Sequence, residues 1–79
     1  MSNIIDRPSH YTDNAVEPID LIMRNHMSFA KGNAVKYLSR AGKKKYGGMS
    51  FEESHLVDLR KAKRYIEMEI NLIEGKDEL

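Results

Sequence analysis

Apolar residues recur along the chain at helical spacing in three runs, each opened and closed by recognisable signals. Ile19, Ile22 and Met23 stand at i, i+3, i+4 behind Pro18, which predicts a first helix from about Glu17 to Asn25. Proline suits the first helical position, where its missing N–H costs nothing, and Glu17 and Asp20 suit the positive end of the dipole. Ser28 is placed to cap a second helix that runs to about Ala41 and is ended by Gly42. Gly32 inside it costs about 1 kcal/mol against alanine, so it marks either a close approach of backbone to a neighbour or ligand, or a kink. Ser50-Phe51-Glu52-Glu53 is a capping box, and Gly75 ends a third helix from about Phe51 to Glu74. About 24 residues at 1.5 Å each make that helix a rod of ~36 Å. The expected fold is all-α: an N-terminal arm over residues 1–14, a three-helix domain over 15–75 and a tail over 76–79.

The third helix carries two apolar stripes. Leu56, Leu59, Ala62, Ile66, Ile70 and Ile73 form the first, expected to pack on helices one and two. Tyr65, Met68 and Leu72 form a second, nearly opposite, in line with Asp58 and Lys61. A helix apolar on two sides needs two neighbours. The expectation is therefore a homo-oligomer built on the long helix, with a site near the subunit boundary.

Size sharpens this point. A chain of 79 residues makes one domain and buries only ~60% of its unfolded surface. It contains no cysteine, so no disulfide or thiolate metal site supports the core, and oligomerisation is the remaining means. Met1-Ser2-Asn3 leads into no apolar run, and no stretch approaches the ~20 apolar residues of a membrane span. A cytoplasmic protein with no membrane partner is expected. The terminal Lys76-Asp77-Glu78-Leu79 spells a retention signal that acts only inside the secretory pathway, and it is read as coincidental.

The net charge of +1 conceals a strong asymmetry. No acidic residue occurs from Leu21 to Phe51, whereas Arg24, Lys31, Lys36, Arg40, Lys43, Lys44 and Lys45 all lie there. A cationic middle between acidic flanks concentrates potential and points to an anionic partner. At about 100° per residue, Asn33, Lys36, Tyr37, Arg40 and Lys44 share one third of the helix circumference. An amide, a phenol and three cations on one edge suit an anion that also has a flat, hydrogen-bonding part: phosphate for the cations, a base or ribose for Asn33 and Tyr37. A solvated basic face is the plainer alternative. The loop Lys43-Lys44-Lys45-Tyr46-Gly47-Gly48 is basic and either folds over phosphates or is solvated. Asp58 and Lys61 sit i, i+3 on the third helix, one turn before Tyr65. Asp58 is placed either to hold Arg40 or Lys36 in a helix-to-helix salt bridge or to accept a ligand hydroxyl. Arg7-Pro8-Ser9-His10-Tyr11 reads as an extended arm that packs over a site or frays.

Several chemistries are excluded by spacing. There is no Walker-type glycine loop and no GxGxxG turn. His10, His26 and His55 lack metal-ligand spacing, so no metal is expected. No nucleophile elbow surrounds a serine. Glu17-x-x-Asp20 and Glu52-Glu53 stand at helix starts, where capping accounts for them better than magnesium binding.

Four spaced motifs together resemble a known family. They are His10-Tyr11; Glu17-x-Ile19-Asp20; Gly32-Asn33-x-x-Lys36-Tyr37-x-x-Arg40-x-x-Lys43; and Asp58-Leu59-x-Lys61-Ala62-x-x-Tyr65. Over about residues 8–70 the chain resembles a family of small bacteriophage proteins, many of unknown function, that includes a coliphage nucleotide kinase. That kinase phosphorylates deoxynucleoside monophosphates without a Walker loop and without needing a metal. The resemblance implies ligand contacts at His10, Tyr11, Asn33, Lys36, Tyr37, Arg40, Lys43, Asp58, Lys61 and Tyr65; the face derived above adds Lys44. The chain departs from the family at Ser39 and Arg64, where tryptophan is common, and in a longer segment between Lys45 and Val57. The kinase is also a larger protein.

The expected function is binding of a phosphorylated nucleotide, with a cyclic signalling nucleotide sequestered against host defence as its phage form. The alternative is a deoxynucleoside monophosphate kinase with ATP as phosphoryl donor, resting on positioning and charge neutralisation. No other cofactor is expected. A nucleic-acid partner ranks last, because the central helix has no recognition partner at helix-turn-helix spacing.

Overall fold

The computed structural model describes residues 16–77, and over them the chain forms three helices and no strand. They are α1 (Pro18–Arg24), α2 (Phe29–Arg40) and α3 (Phe51–Ile73). The local signals set these ends. Pro18 opens α1. The Ser28 hydroxyl accepts from the Lys31 N–H at 3.1 Å. At α3 both halves of the capping box are made: Glu53 N–H donates to Ser50 Oγ at 3.0 Å, and Ser50 N–H donates to Glu53 Oε1 at 2.8 Å. Gly42 and Gly75 follow α2 and α3 at φ +83° and +73°, in the left-handed region.

The end of α1 was not foreseen in detail. Met27 N–H donates to Ile22 O at 3.1 Å and His26 N–H to Met23 O at 3.3 Å, the paired bonds of a Schellman cap. This places His26, with its Cβ, at φ +50°, where glycine is the usual residue.

Helices α2 and α3 run antiparallel, as three cross-links along their length require: Ser28 to Glu69, Arg40 to Asp58, and Gly42 beside His55. The seam between them is made of small residues. Ala30 and Ala34 of α2 and Ala62 of α3 are buried apolar side chains of this seam, joined by fully buried Ser54 and Asp58. Short side chains let two helix backbones approach closely, and within the seam the Ser54 hydroxyl and Asp58 Oδ1 find hydrogen-bond partners.

This corrects the expected packing of α3. The face turned to α2 is Ser54, Asp58 and Ala62, with half-buried Tyr65 and Glu69 beside them. The first apolar stripe, apart from Ala62, is left out: Leu56, Leu59, Ile66, Ile70 and Ile73 are all exposed, between 39% and 78%. Tyr65 and Met68 of the second stripe are half-buried, and only Leu72 is exposed. The unpartnered side of the long helix is therefore the other one.

Helix α1 packs on α2 through one close point. A Cβ on Gly32 would lie 2.9 Å from Ile22 Cγ2, so Gly32 serves close approach of a neighbouring helix. Ile19 and Met23 remain exposed, which makes α1 a brace at the edge of the helix pair rather than a core helix.

Candidate functional site

The seam has two sides, and they differ in chemistry. On one side α2 presents Phe29, Asn33, Lys36, Tyr37 and Arg40, while α3 presents Asp58, Lys61 and Tyr65. The 41–50 connection folds back over the same side and delivers Tyr46. Tyr46 N–H donates to the buried Ser54 hydroxyl at 2.9 Å, and that hydroxyl donates to Ser50 O at 2.8 Å. The α3 cap thus anchors the loop as well as the helix.

At the centre is a three-way contact. Arg40 Nη2 lies 3.3 Å from Asp58 Oδ1 and donates to Tyr46 Oη at 2.6 Å. Tyr46 Oη in turn donates to the same carboxylate oxygen at 2.5 Å. Asp58 is wholly buried and the Arg40 side chain is 11% exposed, so the pair is not a surface ion pair of negligible worth. Burial pulls the Arg40 guanidinium down, but the hydrogen bond and charge of Asp58 outweigh it, with smaller help from Tyr46 and Tyr37, and hold its pKa above the usual value. Burial, then donation to Asp58, raises the Tyr46 phenol. Among the described residues, buried Asp58 Oδ2 and Arg40 Nε have no hydrogen-bond partner.

Around this centre the cations gather on aromatic faces. Tyr37 and Tyr65 stack with centroids 5.8 Å apart and planes 9° apart, and Phe29 meets Tyr65 edge-on at 6.1 Å. The Arg40 guanidinium stands 4.8 Å from the Tyr37 centroid and Lys36 Nζ 5.3 Å. Lys61 Nζ lies 5.1 Å from Tyr37 and 5.2 Å from Tyr46. Lys44 Nζ lies 5.3 Å from Tyr46. Each such contact contributes about 0.5–1 kcal/mol when exposed. Among the described residues no carboxylate forms a salt bridge with Lys36, Lys44 or Lys61: the four cations share two phenol rings, and Asp58 pairs with Arg40.

The structure therefore brings Lys36, Tyr37, Arg40, Lys44, Asp58, Lys61 and Tyr65 together. Asn33 lies a turn away, at a groove of about 180 Å³ walled by Ile22, Phe29 and Gly32 and bordered by Lys36. Its amide nitrogen is engaged by its own helix, donating to Phe29 O at 2.9 Å. Lys43 is exposed in the turn after α2, where its N–H donates to Arg40 O at 2.9 Å. His10 and Tyr11 lie outside the described residues. Tyr46 and Ser54 were missed by sequence reading. Ser54 stands i, i+4 from Asp58 on the same helix face, which was a usable signal; nothing local told Tyr46 from a solvated loop residue.

No group of three or more His, Cys, Asp or Glu side chains among the described residues is placed to hold a metal ion, and no described helix is long and apolar enough to cross a membrane. What the arrangement offers is anion recognition: a cationic face backed by aromatic rings, with an apolar groove beside it.

No curated protein and no solved structure matches the chain. The sequence model of a family described as a protein of unknown function, DUF3310, matches residues 5–67. That span takes in α1, α2, the connection that carries Tyr46, and α3 as far as Glu67, and so includes every described residue of the cationic face: the chain belongs to the DUF3310 family.

Proposed function

We propose that this protein binds a phosphorylated nucleotide on the face formed by Lys36, Tyr37, Arg40, Lys44 and Lys61. The observation that carries the reading is the crowding of four cations around Tyr37 and Tyr46, of which Arg40 alone is paired with Asp58. Like charges so placed repel one another, and a phosphate relieves the repulsion while accepting charge-assisted hydrogen bonds. The neighbouring groove of about 180 Å³ is smaller than the ~300–1,000 Å³ of sites that enclose whole small molecules. It suits one flat part of a ligand whose phosphates lie on the open face.

Binding without turnover is favoured over phosphoryl transfer. In the kinase reading Asp58 or His10 orients the acceptor hydroxyl, but Asp58 Oδ1 is already capped by Tyr46 and Arg40 and the side chain is fully buried. Resemblance to small bacteriophage proteins supports a nucleotide ligand and suggests its use: a small, abundant protein that sequesters a signalling nucleotide, such as a cyclic oligonucleotide, from host defence.

Calorimetric titration with mono-, di-, tri- and cyclic nucleotides, with and without magnesium, tests the reading. Lys36→Ala and Lys61→Ala should each weaken binding roughly ten-fold or more, the worth of a charge-assisted hydrogen bond, with helicity unchanged. Unaltered recovery of the ligand supports sequestration; ATP consumption with diphosphate formed supports the kinase. No heat with any nucleotide defeats the proposal.

A further inference from the structure

The opposite side of the seam carries an apolar face that the described residues do not cover. Leu59, Ile66 and Ile73 are spaced by seven residues, and Leu56, Lys63 and Ile70 precede each of them by three. These are the d and a positions of a heptad seam, with one lysine at an a position. The five apolar members are exposed. They run beside exposed Leu38 and a groove of about 250 Å³ that Val35 and Ile66 help to line.

We propose that this face is an isologous interface at which a second copy of the chain docks with its α3 antiparallel. Charge selects both the occupant and the direction. The seam is flanked at its e positions by Glu53 and Arg60, then Glu67 and Glu74. In an antiparallel two-fold arrangement, flank meets the same flank reversed, so Arg60 of each copy meets Glu67 of the other at the centre, and the acidic Glu53 and Glu74 meet only at the solvated ends. Leu59 then opposes Ile70, Leu56 opposes Ile73, and Lys63 opposes Ile66 within reach of Glu67. A parallel pair would instead set Lys63 against Lys63 and Glu69 beside Glu74. The face thus complements itself, as a two-fold contact requires. The seam is too short for a free coiled coil, which sustains three to four heptads. Because α2 already supports each α3, two copies make a four-helix layer. The cationic face lies on the far side and stays open, so this interface does not depend on the nucleotide reading.

Sedimentation equilibrium of the full chain tests it. The wild type should be a dimer, and Ile70→Glu, which faces Leu59, should weaken dimerisation at least roughly 100-fold, the expected effect of placing an unpaired charge in an apolar interface. Since that variant also risks unfolding, exposed Arg60 and Glu67 supply a second arm. Arg60→Glu should weaken the dimer roughly ten-fold, the effect of two symmetry-related like-charge contacts, and adding Glu67→Arg should restore it. A wild type monomeric at about 1 mM, where even weak pairs associate, would overturn the proposal. So would a dimer indifferent to both Ile70→Glu and the charge reversal.

Discussion

Asp58 shows how one buried side chain ties the fold to the candidate site. Its carboxylate holds Arg40 and Tyr46 together, so removing it leaves a largely buried guanidinium unpaired. Asp58→Ala should cost about 3 kcal/mol in urea denaturation, at the low end for broken buried pairs because Arg40 keeps some exposure. Arg40→Ala should cost as much, which makes it a poor probe of ligand binding; Lys36 and Lys61 are the informative positions. Tyr46→Phe removes two hydrogen bonds, one to each member of the pair, and should cost about 1–3 kcal/mol. Tyr46 also sets a pH dependence. Its phenol is raised in the folded chain, so the fold favours the protonated form. That stabilisation is fully present below about pH 10, the ordinary phenol range, and is lost as pH rises through the higher folded value. In an alkaline absorbance titration one tyrosine should ionise late, and in the Tyr46→Phe variant that late phase should disappear. Its persistence there would assign it to another ring.

At the scale of the helices, what was local was legible. Ser28, Ser50-x-x-Glu53, Pro18, Gly42 and Gly75 act through bonds within a few residues, and sequence alone placed all three helices. The face by which α3 packs was not legible. Hydropathy selected Leu56, Leu59 and Ile66, whereas the molecule buries Ser54, Asp58 and Ala62, because small side chains and a buried ion pair on α2 outweigh apolar area that a single chain has no means to cover. Tyr46 escaped for a related reason: its partners Ser54 and Asp58 lie 8 and 12 residues away. Two substitutions probe the joints. His26→Gly removes a side chain from a left-handed position and should stabilise by up to about 1 kcal/mol. Gly32→Ala gains about 1 kcal/mol of helix propensity but drives a methyl to 2.9 Å from Ile22. Over-packing of that kind costs about 1–3 kcal/mol, so net destabilisation near 1 kcal/mol is expected. Thermal melts of the two variants should shift in opposite directions.

The whole molecule is a two-sided pair of helices with a brace. Among the described residues three alanines supply the buried apolar core of the helix seam, and so small a core needs outside support. The exposed heptad seam offers that support, and the cationic-aromatic face opposite offers a reason to keep unneutralised charge. If a second copy completes the core, the melting temperature should rise with protein concentration; a melt independent of concentration would place the missing stability elsewhere. Belonging to DUF3310 leaves the chemistry of the cationic face as the basis of the functional reading. The central claim is tested most directly by following the ring resonances of the four tyrosines during NMR titration with nucleotides and with inorganic phosphate. Tyr37, Tyr65 and Tyr46 should shift progressively and saturate with a nucleotide, and shift less with phosphate alone. Rings that stay in place with every nucleotide would contradict the account.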